Sequence, residues 1–210
     1  MTTKNYLKFL FWIAVVAWAL ALFINDEPLS AGIFKPASIV QSVLLAVVTV
    51  FEKWGWRWPL LNQLAKRPNL IGVYQGELRS QWIDPKTNQG IPPIPAFIVI
   101  RQTLSDIHIR LFTEQSQSGS LQGFISKQPD EHQELIFSYR NEPKIEHRAH
   151  SPIHYGGAKV QISQDTKTLT GAYWTDRATI GGMSFLRFSR DTPSSFADAV
   201  ILLNNPSAKT

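Results

Sequence analysis

The densest chemistry in the chain lies between residues 171 and 182, GAYWTDRATIGG. Tyr173, Trp174, Thr175, Arg177 and Thr179 crowd the end of a run of strand-forming residues and the turn that follows it. A guanidinium pairs with phosphate through two parallel N–H groups. Aromatic rings stack on flat bases, and threonine hydroxyls donate to phosphate or to a base edge. Together these groups suit an anionic ligand that carries bases. The same segment also reads as a barrel corner with a surface arginine. Arg79, Arg101 and Arg110 add cations within strand-like runs, and one turned inward would need an anion beside it. Alternation of the neighbouring residues turns Arg110 outward. Tyr74, Trp82 and Tyr155 are further aromatics available for stacking, with Tyr155 and His154 at a ligand mouth.

Catalysis finds less support. No G-x-S-x-G, P-loop, G-x-G-x-x-G or H-E-x-x-H motif occurs. Glu142, Glu146, Asp165 and Asp176 sit at strand ends and turns and form no general acid–base pair. His147, His150 and His154 are the one metal-like constellation, since three imidazoles can hold zinc with an open position. Their segment, EHRAHSPIHYGG, is a proline-containing connection rather than a helix that would align the rings, so they read as loop histidines. The chain has no cysteine, which excludes disulfides and thiolate metal sites. The expectation is a binding protein with no catalytic residue, metal or cofactor.

The elements that must position these groups begin at Leu70. Short runs rich in β-branched and aromatic residues alternate with turn signals. They predict strands near 72–82, 96–104, 107–113, 120–127, 134–141, 155–164, 168–175 and 183–188. About eight antiparallel strands over residues 70–190 predict an up-and-down β-barrel, whose interior at that strand number fits side chains or one small ligand; a sandwich is the competing fold. Period-2 alternation puts Tyr74, Gly76, Leu78, Ser80 and Trp82 on one face, with Gln75, Glu77 and Arg79 on the other. Leu169, Gly171, Tyr173 and Thr175 likewise oppose Ala172 and Trp174. Within residues 191–210, Thr192-Pro193-Ser194-Ser195 starts a short amphipathic helix carrying Phe196, Ala199, Val200 and Leu203, followed by a tail.

Residues 1–58 have another character. Two uncharged apolar runs predict helices over about 6–24 and 34–54, a membrane hairpin against a hydrocarbon core that needs roughly 20 apolar helical residues. Residues 1–69 hold seven Lys/Arg against three Asp/Glu, whereas residues 70–210 hold fourteen against thirteen. The basic excess therefore belongs to the membrane end and not to a nucleic-acid-coating domain. Flanking cations place both termini in the cytoplasm. Trp54, Trp56 and Trp58 sit where an interfacial aromatic belt is expected, and residues 59–69 form a basic connector. The hairpin carries no ionisable residue of the kind an ion pathway needs. Its Ala and Ser at four-residue spacing permit self-association, or simply pack the two legs together.

The hairpin, the Trp/Lys/Arg connector, the opening strand LIGVYQGELRSQW and the late GAYWTDRATIGG…FLRF together resemble the SMODS-associating two-transmembrane β-strand-rich effectors of CBASS anti-phage systems. The resemblance implies a β-barrel receptor for a cyclic dinucleotide made by a partner nucleotidyltransferase. It also implies ligand-driven assembly of the transmembrane segments, disruption of the bacterial inner membrane and abortive infection. The rival reading from the residues is a membrane-anchored lipid or fatty-acid binding barrel, with Arg101 or Arg110 gripping a carboxylate.

Overall fold

The computed structural model describes residues 11–16, 18–19, 23, 37–85 and 87–205, with side chains throughout except in 37–40 and 63–65. Contacts divide the chain into two compact units, residues 1–68 with 103–105, and residues 69–102 with 106–210.

In the first unit, helix α1 covers Ala37–Lys53. Its 17 residues correspond to about 25 Å at 1.5 Å per residue. Among the described residues no helix is long and apolar enough to cross a membrane. The first hairpin leg lies mostly outside the described residues, although 11–16, 18–19 and 23 are helical. The expected start of the second leg, 34–36, lies outside them too. A 3-10 turn, Gly55–Arg57, and helix α2, Pro59–Ala65, follow. Pro59 opens α2 at a position where its missing N–H costs nothing. Trp54 and Trp58 are exposed as a belt requires, but Trp56 is fully buried. The intervening 3-10 turn rotates it away from its neighbours. Within this unit the Glu52 carboxylate accepts hydrogen bonds from Thr103 Oγ1 and Ser105 N, both at 2.8 Å.

The second unit is an eight-stranded closed barrel in simple up-and-down order. Its strands are β1 (Gly72–Ser80), β2 (Ile94–Gln102), β3 (Ile107–Thr113), β4 (Ser116–Lys127), β5 (Gln133–Pro143), β6 (His154–Ile162), β7 (Thr168–Thr175) and β8 (Ile180–Ser189). Every neighbouring pair is antiparallel, and β1 closes on β8. This excludes the sandwich. The β3 and β7 bounds match those read from the sequence. β4 starts earlier than expected because Thr113 Oγ1 accepts from Ser116 N (3.0 Å) and tightens the turn. β8 starts at Ile180, paired with Trp174, because Ala178 takes a left-handed φ of 56° and closes a short β7–β8 turn.

Inward residues follow the alternation. Tyr74, Ile98, Ile109, Leu135, Val160, Leu169 and Phe185 pack one continuous core. At one end that core is filled. The Tyr74 hydroxyl donates to Leu70 O (3.1 Å), and Arg187 Nη1 reaches Asn69 O (3.0 Å) with its guanidinium 5.7 Å from the Tyr74 ring centre.

Outside, helix α3 (Phe196–Asn204) covers an apolar patch of Val73, Phe97, Val99 and Phe112. Ser195 caps it, accepting from Asp198 N at 3.1 Å. Phe97 and Phe196 meet edge-to-face at 5.4 Å. Burial of this face, more than nine residues of helix propensity, holds so short a helix in place.

Candidate functional site

The barrel end opposite Tyr74 holds an open cavity of about 780 Å³. Its depth is apolar, formed by Leu78, Leu111, Phe137 and Met183. Tyr139 and Tyr173 stand on its walls, both buried. Two glycines make room for those rings. A Cβ added at Gly156 would lie 2.5 Å from Tyr139 Cζ, and one at Gly181 would lie 2.5 Å from Tyr173 Cζ. Burial, with Tyr173 and Asp176 adding to it, pushes the Tyr139 hydroxyl well above the usual phenol range. Burial also raises Tyr173, partly offset by a hydrogen bond with Ser80. Both rings therefore stay neutral and able to stack, with the Tyr139 hydroxyl donating to Trp174 O at 3.4 Å.

Polar groups ring the upper wall. Asn141 is buried, and its side-chain oxygen accepts from Ser118 Oγ at 2.8 Å. Its amide nitrogen carries two N–H donors. Thr175 organises the β7–β8 turn, its Oγ1 accepting from Arg177 N (3.2 Å) and Thr179 N (3.3 Å). That turn lifts Arg177 to the mouth, where Nη1 donates to Ser151 Oγ at 3.2 Å. Glu114, His147, His150 and His154 complete the rim.

Of the residues singled out from the sequence, Trp82, His154, Tyr173, Thr175, Arg177 and Thr179 are brought together on this cavity, with His147 and His150 beside them. The others are not. Tyr74 points inward but sits in the filled end. Arg79 lies on the outer face, paired with Glu77. Arg101 is exposed and donates to Thr192 O (3.3 Å), while Arg110 donates to Ser194 O (3.3 Å) and Gln117 Oε1 (2.9 Å). Both brace the approach to α3, and neither lines the cavity. Tyr155 and Trp174 are exposed on the outer face, as alternation with Tyr173 requires. Sequence reasoning missed Tyr139 and Asn141. Alternation along ELIFSYRN contained their inward direction, but nothing in it marked which end of β5 stays open. Among the described residues no group of three His, Cys, Asp or Glu is placed to hold a metal ion.

A closed barrel with an aromatic-walled pocket, neutral phenols and one guanidinium at its mouth is built as a small-molecule receptor. Residues 65–187 match the family model described as Cap15, cyclic dinucleotide receptor domain. The chain is also similar to CD-NTase-associated protein 15 of Yersinia aleksiciae, 25% identical over 185 residues, which cover 87% of this chain and 85% of that protein. The chain belongs to the Cap15 family, and its barrel is the cyclic dinucleotide receptor domain of that family. The resemblance to CBASS effectors read from the sequence is thereby borne out.

Proposed function

We propose that the barrel cavity is where this chain binds a cyclic dinucleotide, and that the bound ligand is the signal to which residues 1–58 respond. The observation that carries the reading is the open, aromatic-walled cavity inside a domain of the matching family. Its volume falls within the roughly 300–1,000 Å³ of small-molecule pockets. The bases would stack on Tyr173, Tyr139 and Trp82. Arg177 would pair with a phosphate, and Asn141 and Thr179 would read base edges or phosphate oxygens. Thr175, committed to the turn, acts by positioning Arg177 and Thr179.

The output is proposed from the sequence of the N-terminal region. Its apolar runs support a location in the bacterial inner membrane with both termini cytoplasmic. Ligand binding would drive oligomerisation of the transmembrane segments, disrupting the membrane and causing abortive infection. The chain acts as a receptor and effector, not as an enzyme. The fatty-acid alternative loses its anchor, because Arg101 and Arg110 face away from the cavity. Dye entry in cells that express the full chain with an active partner nucleotidyltransferase tests the output. Permeabilisation should need both the nucleotidyltransferase and residues 1–58. Permeabilisation by residues 69–210 alone would sink the mechanism.

A further inference from the structure

The charges around the cavity do not match those of a cyclic dinucleotide. Two phosphodiesters bring two negative charges. Among the described residues that line the cavity, Arg177 is the one Lys or Arg, and Glu114 opposes it. The formally charged groups close by do not make up the difference. Asp176 accepts from Tyr155 N (3.1 Å), Arg148 donates to Pro143 O (3.1 Å), and Lys144 and Glu146 lie on the rim segment with opposite signs. Tyr139 and Tyr173 stay neutral. With neutral imidazoles, the described residues of the mouth have no excess positive charge to offer.

His147, His150 and His154 all line the same mouth. Their segment is tied to the barrel by Lys144 N to Gln115 O (2.9 Å) and to Arg177 by the Ser151 hydrogen bond (3.2 Å). Arg177 and the histidines thus belong to one wall, although Arg177 and Ser151 stand 26 positions apart. His154 shows why its protonation matters. Its Nδ1 lies 3.1 Å from Pro152 O. A carbonyl only accepts, so Nδ1 carries the hydrogen. In the neutral ring Nε2 is then a bare lone pair, which repels a phosphate oxygen. Only the imidazolium presents an N–H there.

We infer that this receptor takes up protons with its ligand: His154, together with His147 and His150, becomes imidazolium as the phosphates enter and forms with Arg177 the phosphate-binding wall. The inference deepens the ligand reading above and rests on it. Phosphodiesters stay ionised through the neutral range, where histidine changes charge, so a pH dependence there reports on the protein.

The test is calorimetry of the full chain in detergent with a panel of cyclic dinucleotides that varies both bases and linkage. It is run at about pH 6 and about pH 8, in buffers of different ionisation enthalpy. Kd should be about tenfold or more tighter at the lower pH, with net proton uptake seen as a buffer-dependent heat. His154→Gln should weaken the pH slope, and replacement of all three histidines by Gln should flatten it. Wild-type binding with a flat pH profile and no buffer-dependent heat overturns this inference and leaves the ligand reading standing. No binding of any panel member at either pH overturns both. The wild-type arm needs no variant to fold.

Discussion

Arg177→Ala removes the one guanidinium among the described residues of the cavity wall. A hydrogen bond to a charged group contributes about 1.5–3 kcal/mol. Arg177 sits exposed at the mouth, where solvent screens it, so the lower part of that range applies, about 1.5–2 kcal/mol. At 1.4 kcal/mol per tenfold, Kd should rise roughly 10- to 30-fold. Arg177→Lys keeps a cation but loses the planar fork, and should cost about three- to fivefold. Loss of the Ser151 hydrogen bond accompanies both changes. Ser151→Ala removes that one exposed bond while leaving the charge, and should cost less than about threefold. Calorimetric titration of the full chain reads all three. Unchanged affinity in Arg177→Ala would remove Arg177 from the site. A Ser151→Ala effect as large as that of Arg177→Ala would show that the arginine acts through the loop rather than on the ligand.

Other consequences concern the walls, the fold and the output. Tyr173→Ala should weaken binding by about 1–3 kcal/mol, the usual contribution of one stacked base, whereas Tyr173→Phe should bind nearly as wild type; equal loss in both would make the hydroxyl, not the ring, the determinant. Ser195→Ala should lower stability in urea by about 1 kcal/mol through loss of the α3 cap, and an unchanged midpoint would show that α3 docks without it. Burial raises the Tyr74 hydroxyl to about 12, against the opposing pull of Arg187. The folded state therefore keeps a proton that the unfolded chain loses near pH ~10. Stability should be flat below that and fall as pH climbs to about 12, with Tyr139 and Tyr173 acting in the same direction; a Tyr74→Phe melt with an undiminished alkaline loss would assign it elsewhere. A chain starting at Asn69 should bind the ligand yet leave membranes intact, as dye entry would report.

Much of the barrel was legible because alternation has a period of two and needs no tertiary knowledge. That Tyr173 opposes Trp174, and Leu78 opposes Arg79, followed from it; which face lines the cavity did not, and Trp174 and Arg79, counted among the ligand residues, lie on the outer face. The α3 start was legible because Ser195 caps it by local chemistry. What alternation lacks is depth. Tyr74 and Tyr139 both point into the barrel, yet one plugs the filled end and the other walls the open one. That distinction arises only when β1 closes on β8 and the register fixes each residue's height. Arg101 and Arg110 would have needed an anion had they turned inward; they turn outward, as alternation indicated for Arg110, and donate to backbone carbonyls ahead of α3. The histidines read from the sequence as loop residues, with His154 at a ligand mouth, where the structure puts it. Their common position beside Arg177 follows from the path of the β5–β6 connection across the mouth, which no local pattern encodes.

The central claim, that this cavity holds a cyclic dinucleotide, is tested most directly by native mass spectrometry of the full chain released from detergent. The chain would be offered a panel of cyclic dinucleotides and long-chain fatty acids in competition. The account predicts one cyclic dinucleotide per chain, weakened in both Tyr173→Ala and Arg177→Ala. Retention of a fatty acid with no bound nucleotide would contradict it.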